Sequence, residues 1–75
     1  MTAIPTVPFR FLISRLRQLG FEAVRQKGSH IRFVHPDGRK TTVPDHGHKD
    51  VPKGLLMKII CYDLEMKLED FFELE

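Results

Sequence analysis

The sequence predicts an α+β fold in the order helix, three antiparallel strands, helix, with a short helix at the C-terminus. Three observations predict it. Apolar residues recur at helical spacing before Gly20 and again after Pro52. Between them lie three short runs, two of them rich in β-branched residues or alternating between apolar and polar. Pro36-Asp37-Gly38 separates the last two runs as a hairpin turn, because proline presets φ and glycine accepts φ > 0.

Each element follows from its own residues. Met1 to Val7, with Pro5, reads as a loose arm, and Pro8 opens a helix at a position where proline is tolerated. Phe9, Leu12, Leu16 and Leu19 share one face, with Arg10, Arg15, Arg17 and Gln18 mostly opposite, so the first helix covers about residues 8–19. Gly20 terminates it. Residues 21–26 form the first strand, Lys27-Gly28 the turn, and residues 29–35 the second strand. There Ile31 and Phe33 face one side, with His30, Arg32 and Val34 on the other. Residues 39–44 form the third strand through Thr41, Thr42 and Val43. The loop Asp45 to Asp50 follows, with Asp50 as cap and Pro52 in the first turn of a second helix. That helix carries Leu55, Leu56, Ile59, Ile60 and Leu64, and Cys61 in this run reads as a small core residue. Residues 66–74 form a last short helix whose Leu68, Phe71 and Phe72 fold back on the core.

A three-stranded meander cannot bury its apolar face alone. Both main helices are therefore expected on one face, leaving the other to water or a partner. This is the layout of a double-stranded-RNA-binding domain. Seventy-five residues make one domain, residues 1–75, with no room for a second. An apolar content of 41% against 29% charged residues excludes a disordered chain. One cysteine allows no internal disulfide, which suits a reduced, cytoplasmic compartment. No apolar run spans a bilayer, so no membrane partner is expected.

Charge is distributed unevenly. The formal net charge is only +2. Yet eleven of the 12 Lys and Arg residues lie between Arg10 and Lys58, against four acids (Glu22, Asp37, Asp45, Asp50). The other six acids follow Tyr62, with Lys67 as their one basic neighbour. A basic body with an acidic tail can turn a positive face to an anion. His30 sits in that body, after Gly28-Ser29, with Arg25, Lys27 and Arg32 close in sequence. Histidine is the side chain that gives and takes protons near neutral pH. A histidine among cations suggests chemistry on a phosphodiester.

Longer motifs narrow this further. Leu19-Gly20-Phe21, Arg25-Gln26-Lys27-Gly28-Ser29-His30, His35-Pro36-Asp37-Gly38-Arg39, Val43-Pro44 with His46, and Pro52-Lys53-Gly54 together resemble the HicA (YcfA-like) toxin family. The resemblance covers about residues 9–72. It implies a ribosome-independent mRNA interferase, a metal-independent endoribonuclease held inactive by a HicB-like antitoxin protein. It also implies that His30, in Gly-Ser-His, is the catalytic histidine. One departure is visible: the family usually carries a glycine between the last two helices, and Asp63-Leu64-Glu65-Met66 has none.

The chemistry can be argued from the residues themselves. RNA carries its own nucleophile, the 2′-hydroxyl. Cleavage needs a base for that proton, positive charge at the phosphorus, and an acid for the leaving oxygen. His30 is the general acid or base, with Ser29 and His46 as supporting candidates. Arg25, Lys27, Gly28, Arg32 and Lys53 are the candidate RNA-binding residues, through side-chain charge or, at Gly28, backbone N–H. No cofactor is expected, neither metal nor small molecule. His35 reads as a turn residue, His48 as part of a solvated loop, and Arg10, Arg15 and Arg17 as a solvated helix face. Two alternatives stay open: a non-catalytic RNA-binding module of the same layout or a decayed toxin, and a metal site built on His46 and His48.

Overall fold

A computed structural model describes residues 6–73. The elements are α1 (Phe9–Gln18), β1 (Glu22–Lys27), β2 (His30–Val34), β3 (Lys40–Pro44), α2 (Lys53–Met57), which runs on into a π-helical segment Lys58–Asp63, and α3 (Leu68–Phe72). The three strands form one antiparallel meander in the order β1-β2-β3. The expected α-β-β-β-α arrangement is therefore present; α1, β2 and β3 are one or two residues shorter than their sequence patterns, α3 is four shorter, and β1 is shifted by one residue, so that Lys27 belongs to the strand and not to the turn.

The core lies between the helices and one face of the sheet. Leu12 and Leu16 of α1 and Leu56, Ile59 and Ile60 of the second helix are buried with Ile31, Phe33 and Val43 of the strands. Phe71 of α3 is fully buried, and Phe72 stacks on Phe11 of α1 at 6.2 Å between centroids. Leu68 packs against the same core. The opposite face of the sheet stays open.

α1 ends in a Schellman motif: Gly20, at φ +102°, donates to the Arg17 carbonyl, and Phe21 donates to that of Leu16. The second helix ends one residue wider. Met66 N–H donates to the Ile60 carbonyl at 3.0 Å, and Glu65 takes φ +54° where a glycine would be unstrained. The missing glycine therefore does not lengthen the helix; the break is made by a glutamate in a left-handed conformation.

Three local expectations are corrected. Cys61 is exposed, because the helical turn that buries Ile59, Ile60 and Leu64 points the residue after Ile60 to water. Asp50 does not cap α2: Pro52 holds the cap position without a side-chain bond, and the neighbours of Asp50 are tied to the segment before α1, Phe9 donating to the Lys49 carbonyl and Val51 to that of Val7. Of the expected loose arm, residues 1–5 lie outside the described residues, whereas Val7 is buried and its carbonyl accepts the Val51 N–H at 2.8 Å. The chain joins the core there. Leu74, at the expected end of the last helix, also lies outside the described residues.

Candidate nucleic-acid interface and active site

The candidate site grows out of the β1-β2 hairpin. The loop is the two residues Gly28-Ser29, with Lys27 and His30 as the strand ends that close it. Gly28 takes φ +61° and no other residue of the hairpin has positive φ, the pattern of a turn with glycine at its first central position. Gln26 steadies this turn, its Nε2 donating to the Gly28 carbonyl at 3.0 Å. Ser29 offers its carbonyl to the Asp45 N–H at 2.7 Å, which ties the turn to the end of β3. His30 is thus held on a ladder, not on a free loop.

Register decides which side chains share its face. Residues directly opposite on paired strands point the same way. The open face therefore carries three rows: Lys27, His30 and Pro44; then Arg25, Arg32 and Thr42; then Glu22, Val34 and Lys40. The other face carries Gln26, Ile31 and Val43, then Ala23, Phe33 and Thr41; it is covered over β2 and β3, while β1 is exposed throughout.

A β-bulge at Val24 sets the far row alone. The pairing runs from Ala23 opposite Phe33 directly to Arg25 opposite Arg32, leaving Val24 as the extra residue. In a regular strand Ala23 and Arg25 would share a face. Arg25 lies on the side of His30 and Arg32 by regular alternation from Lys27, and the bulge turns Ala23 away from that side and Glu22 toward it.

Exposed and unengaged side chains mark the row around His30. His30, Arg25, Lys27 and Arg32 are all exposed, and none has a hydrogen-bond, ion-pair or ring partner among the described residues. Other cations of the chain are engaged: Arg39 with Asp37 and the Leu64 carbonyl, Lys58 with Asp63, and Arg17 over the Phe33 ring. The open face is thus lined with cations that the fold leaves unneutralised, with Glu22 alone opposing them at its far end.

The remaining candidates lie apart from this face. His46 follows β3, and its ring meets Phe9 edge-on at 5.1 Å. Its loop is pinned to α1, since Phe9 and Arg10 donate their N–H groups to the carbonyls of Lys49 and Gly47. Lys53 opens α2 and is exposed, on a helix rather than on the sheet. Among the described residues no group of three or more His, Cys, Asp or Glu gathers in a metal-holding arrangement. His35 is a turn residue as expected: Nε2 donates to the Leu19 carbonyl at 3.1 Å, and Nδ1 accepts the Asp37 N–H at 3.1 Å.

Sequence reasoning missed Lys40 and Thr42 as members of the open face. The signal was there in β3, whose period of two puts both on the side away from Thr41 and Val43.

Comparison with known proteins bears on this surface. No curated protein matches the chain. A family model described as the HicA toxin of bacterial toxin-antitoxin matches residues 9–66, from the first residue of α1 through the Glu65 helix break to Met66. The matched span contains the helices and strands that build the open cationic face around His30, and the chain belongs to the HicA toxin family.

Proposed function

We propose that this protein is the toxin of a type II pair, cutting mRNA independently of the ribosome with His30 as its general acid–base. The observation that carries the reading is His30 itself: exposed, without an internal partner, on a sheet face whose nearest rows hold Lys27, Arg25 and Arg32. An imidazole in that setting has no structural duty among the described residues. The unpaired cations supply what a phosphodiester transition state needs, positive charge fixed beside the phosphorus. They also give sequence-independent affinity for a phosphate backbone. Gly28 lets the chain turn closely beside His30, Ser29 stands next to it, and Lys53 and His46 extend the contact beyond the sheet.

The working partners are mRNA and a HicB-like antitoxin that covers this face, and the place of action is the cytoplasm, where mRNA is translated. No helix among the described residues is long and apolar enough to cross a membrane. The reaction as read here needs no metal, because the 2′-hydroxyl is the nucleophile and side chains handle the protons.

The test compares the purified protein with His30→Ala on a long mRNA in the presence of EDTA. Cleavage is expected to fall by about 100-fold or more in the variant. Its melting temperature should hardly move, since surface substitutions away from packing change stability by about 0.5 kcal/mol or less. Equal cleavage by both proteins would reject His30 as the catalyst. Undiminished RNA binding with no cleavage by the unaltered protein would favour the non-catalytic module.

A further inference from the structure

The chemistry just proposed leaves one proton unassigned. When the 2′-oxygen attacks phosphorus and the P–O5′ bond breaks, the departing oxygen must be protonated. A single imidazole that has just accepted the 2′-hydroxyl proton cannot serve both ends of an in-line displacement at once. A second group with a transferable proton has to stand on the same face.

The register limits the choice. Arg25 and Arg32 line the next row, but a guanidinium does not give up its proton in a protein. Glu22 and Lys40 lie in the far row, four residues along the strands from His30. Thr42 offers only a hydroxyl. His46 has its ring against Phe9. Lys27 is directly opposite His30 across the two-residue turn, and paired residues on one face have Cβ atoms about 5 Å apart. Lys27 is also exposed and without a partner among the described residues. Its ammonium group carries three donor hydrogens on a flexible stem.

We propose that Lys27 is the general acid of the reaction, working opposite His30 as the general base. This rests on the ribonuclease reading above. The step balances as follows. His30 takes the 2′-hydroxyl proton while the 2′-oxygen bonds to phosphorus. The P–O5′ bond breaks with its electron pair on the 5′-oxygen, which takes a proton from the Lys27 ammonium. The products are a 2′,3′-cyclic phosphate and a 5′-hydroxyl end. Proton exchange with water then returns the imidazolium and the amine to their starting states. Arg25 and Arg32, as fixed charges, stabilise the phosphorane.

A sulfur leaving group tests the assignment, because a 5′-thiolate departs without needing an acid. The substrates are two RNA oligonucleotides carrying a bond that the unaltered protein cuts, with oxygen or sulfur at the 5′ bridging position. Lys27→Met and Lys27→Arg should each cut the oxygen substrate about 100-fold or more slowly, and both should approach the unaltered protein on the sulfur substrate. His30→Ala should stay slow on both. The arginine variant keeps the charge, so it separates proton donation from phosphate attraction even where the methionine variant folds poorly. Equal slowing on both substrates, or a raised KM with unchanged kcat, would make Lys27 a phosphate contact only and overturn the proposal. If the unaltered protein cuts no bond in a long mRNA from which such a substrate could be chosen, the ribonuclease reading fails, and the role of Lys27 falls with it.

Discussion

His30 and His35 stand five residues apart on one strand and its exit, and their partners make them opposites. His35 has both ring nitrogens bonded, to the Leu19 carbonyl and the Asp37 N–H, and its ring lies 5.0 Å from that of Phe21. His30 has no such partner among the described residues. The same side chain is a structural clip in one place and free for chemistry in the other. The clip has a pH signature through Asp37. Its carboxylate is held below the ordinary carboxylate range, first by the Arg39 backbone N–H and then by the Arg39 side chain, with His35 adding a smaller pull. A depressed folded pKa means stability that is present at neutral pH and lost as pH falls through that depressed value. Asp37→Asn should therefore lower the melting temperature at neutral pH, with the gap to the unaltered protein closing in acid below the usual carboxylate range. Thermal melts across that span check it, and a gap that does not change with pH would show that the charge contributes nothing.

At the scale of elements, the two helix ends and the bulge set the geometry. Gly20 and Glu65 both close a helix with positive φ, but only the glycine does so without strain. The space around Gly20 is also tight: a Cβ there would sit 3.1 Å from His35 Nε2. A left-handed conformation costs a residue with a side chain about 1–2 kcal/mol. Glu65→Gly should thus raise stability by about 1 kcal/mol, part of the relief being offset by the greater entropy of an unfolded glycine. Chemical denaturation would measure it, and a loss of stability would mean the Glu65 side chain contributes more than its backbone costs. The bulge at Val24 puts Glu22, rather than Ala23, opposite Val34 on the face of His30.

Across the whole molecule, the open sheet face and the last helix differ in charge. The cations left unpaired on the sheet face the open side, while α3, which carries Glu69 and Asp70, is folded against α1 through Phe72 and Phe11. The sheet is fastened to the helical layer by two polar links. Arg39 donates to the Leu64 carbonyl at 2.7 Å, capping the end of the second helix, and its guanidinium lies 5.3 Å from the centre of the Phe21 ring. Buried Thr41 donates to Asp63 at 2.8 Å. Arg39→Ala should cost roughly 1.5–3 kcal/mol, the worth of charge-assisted hydrogen bonds together with the lost stacking. Denaturation of the variant checks this, and a change within the error of the method would assign the link to packing alone.

Residue patterns alone predict the order of elements, the two faces of β2 and β3, the glycine stop at Gly20 and the placing of Gly28-Ser29-His30 among cations. These are local properties: side-chain period, turn chemistry and a residue's own φ preference. The packed chain alone puts Glu22 rather than Ala23 on the open face, turns Cys61 outward and leaves Pro52 rather than Asp50 at the cap of α2. Each of those depends on a segment far along the chain. A bulge exists only relative to the strand it pairs with, and the path into α2 is set by the pairing of the loop before it with the segment before α1.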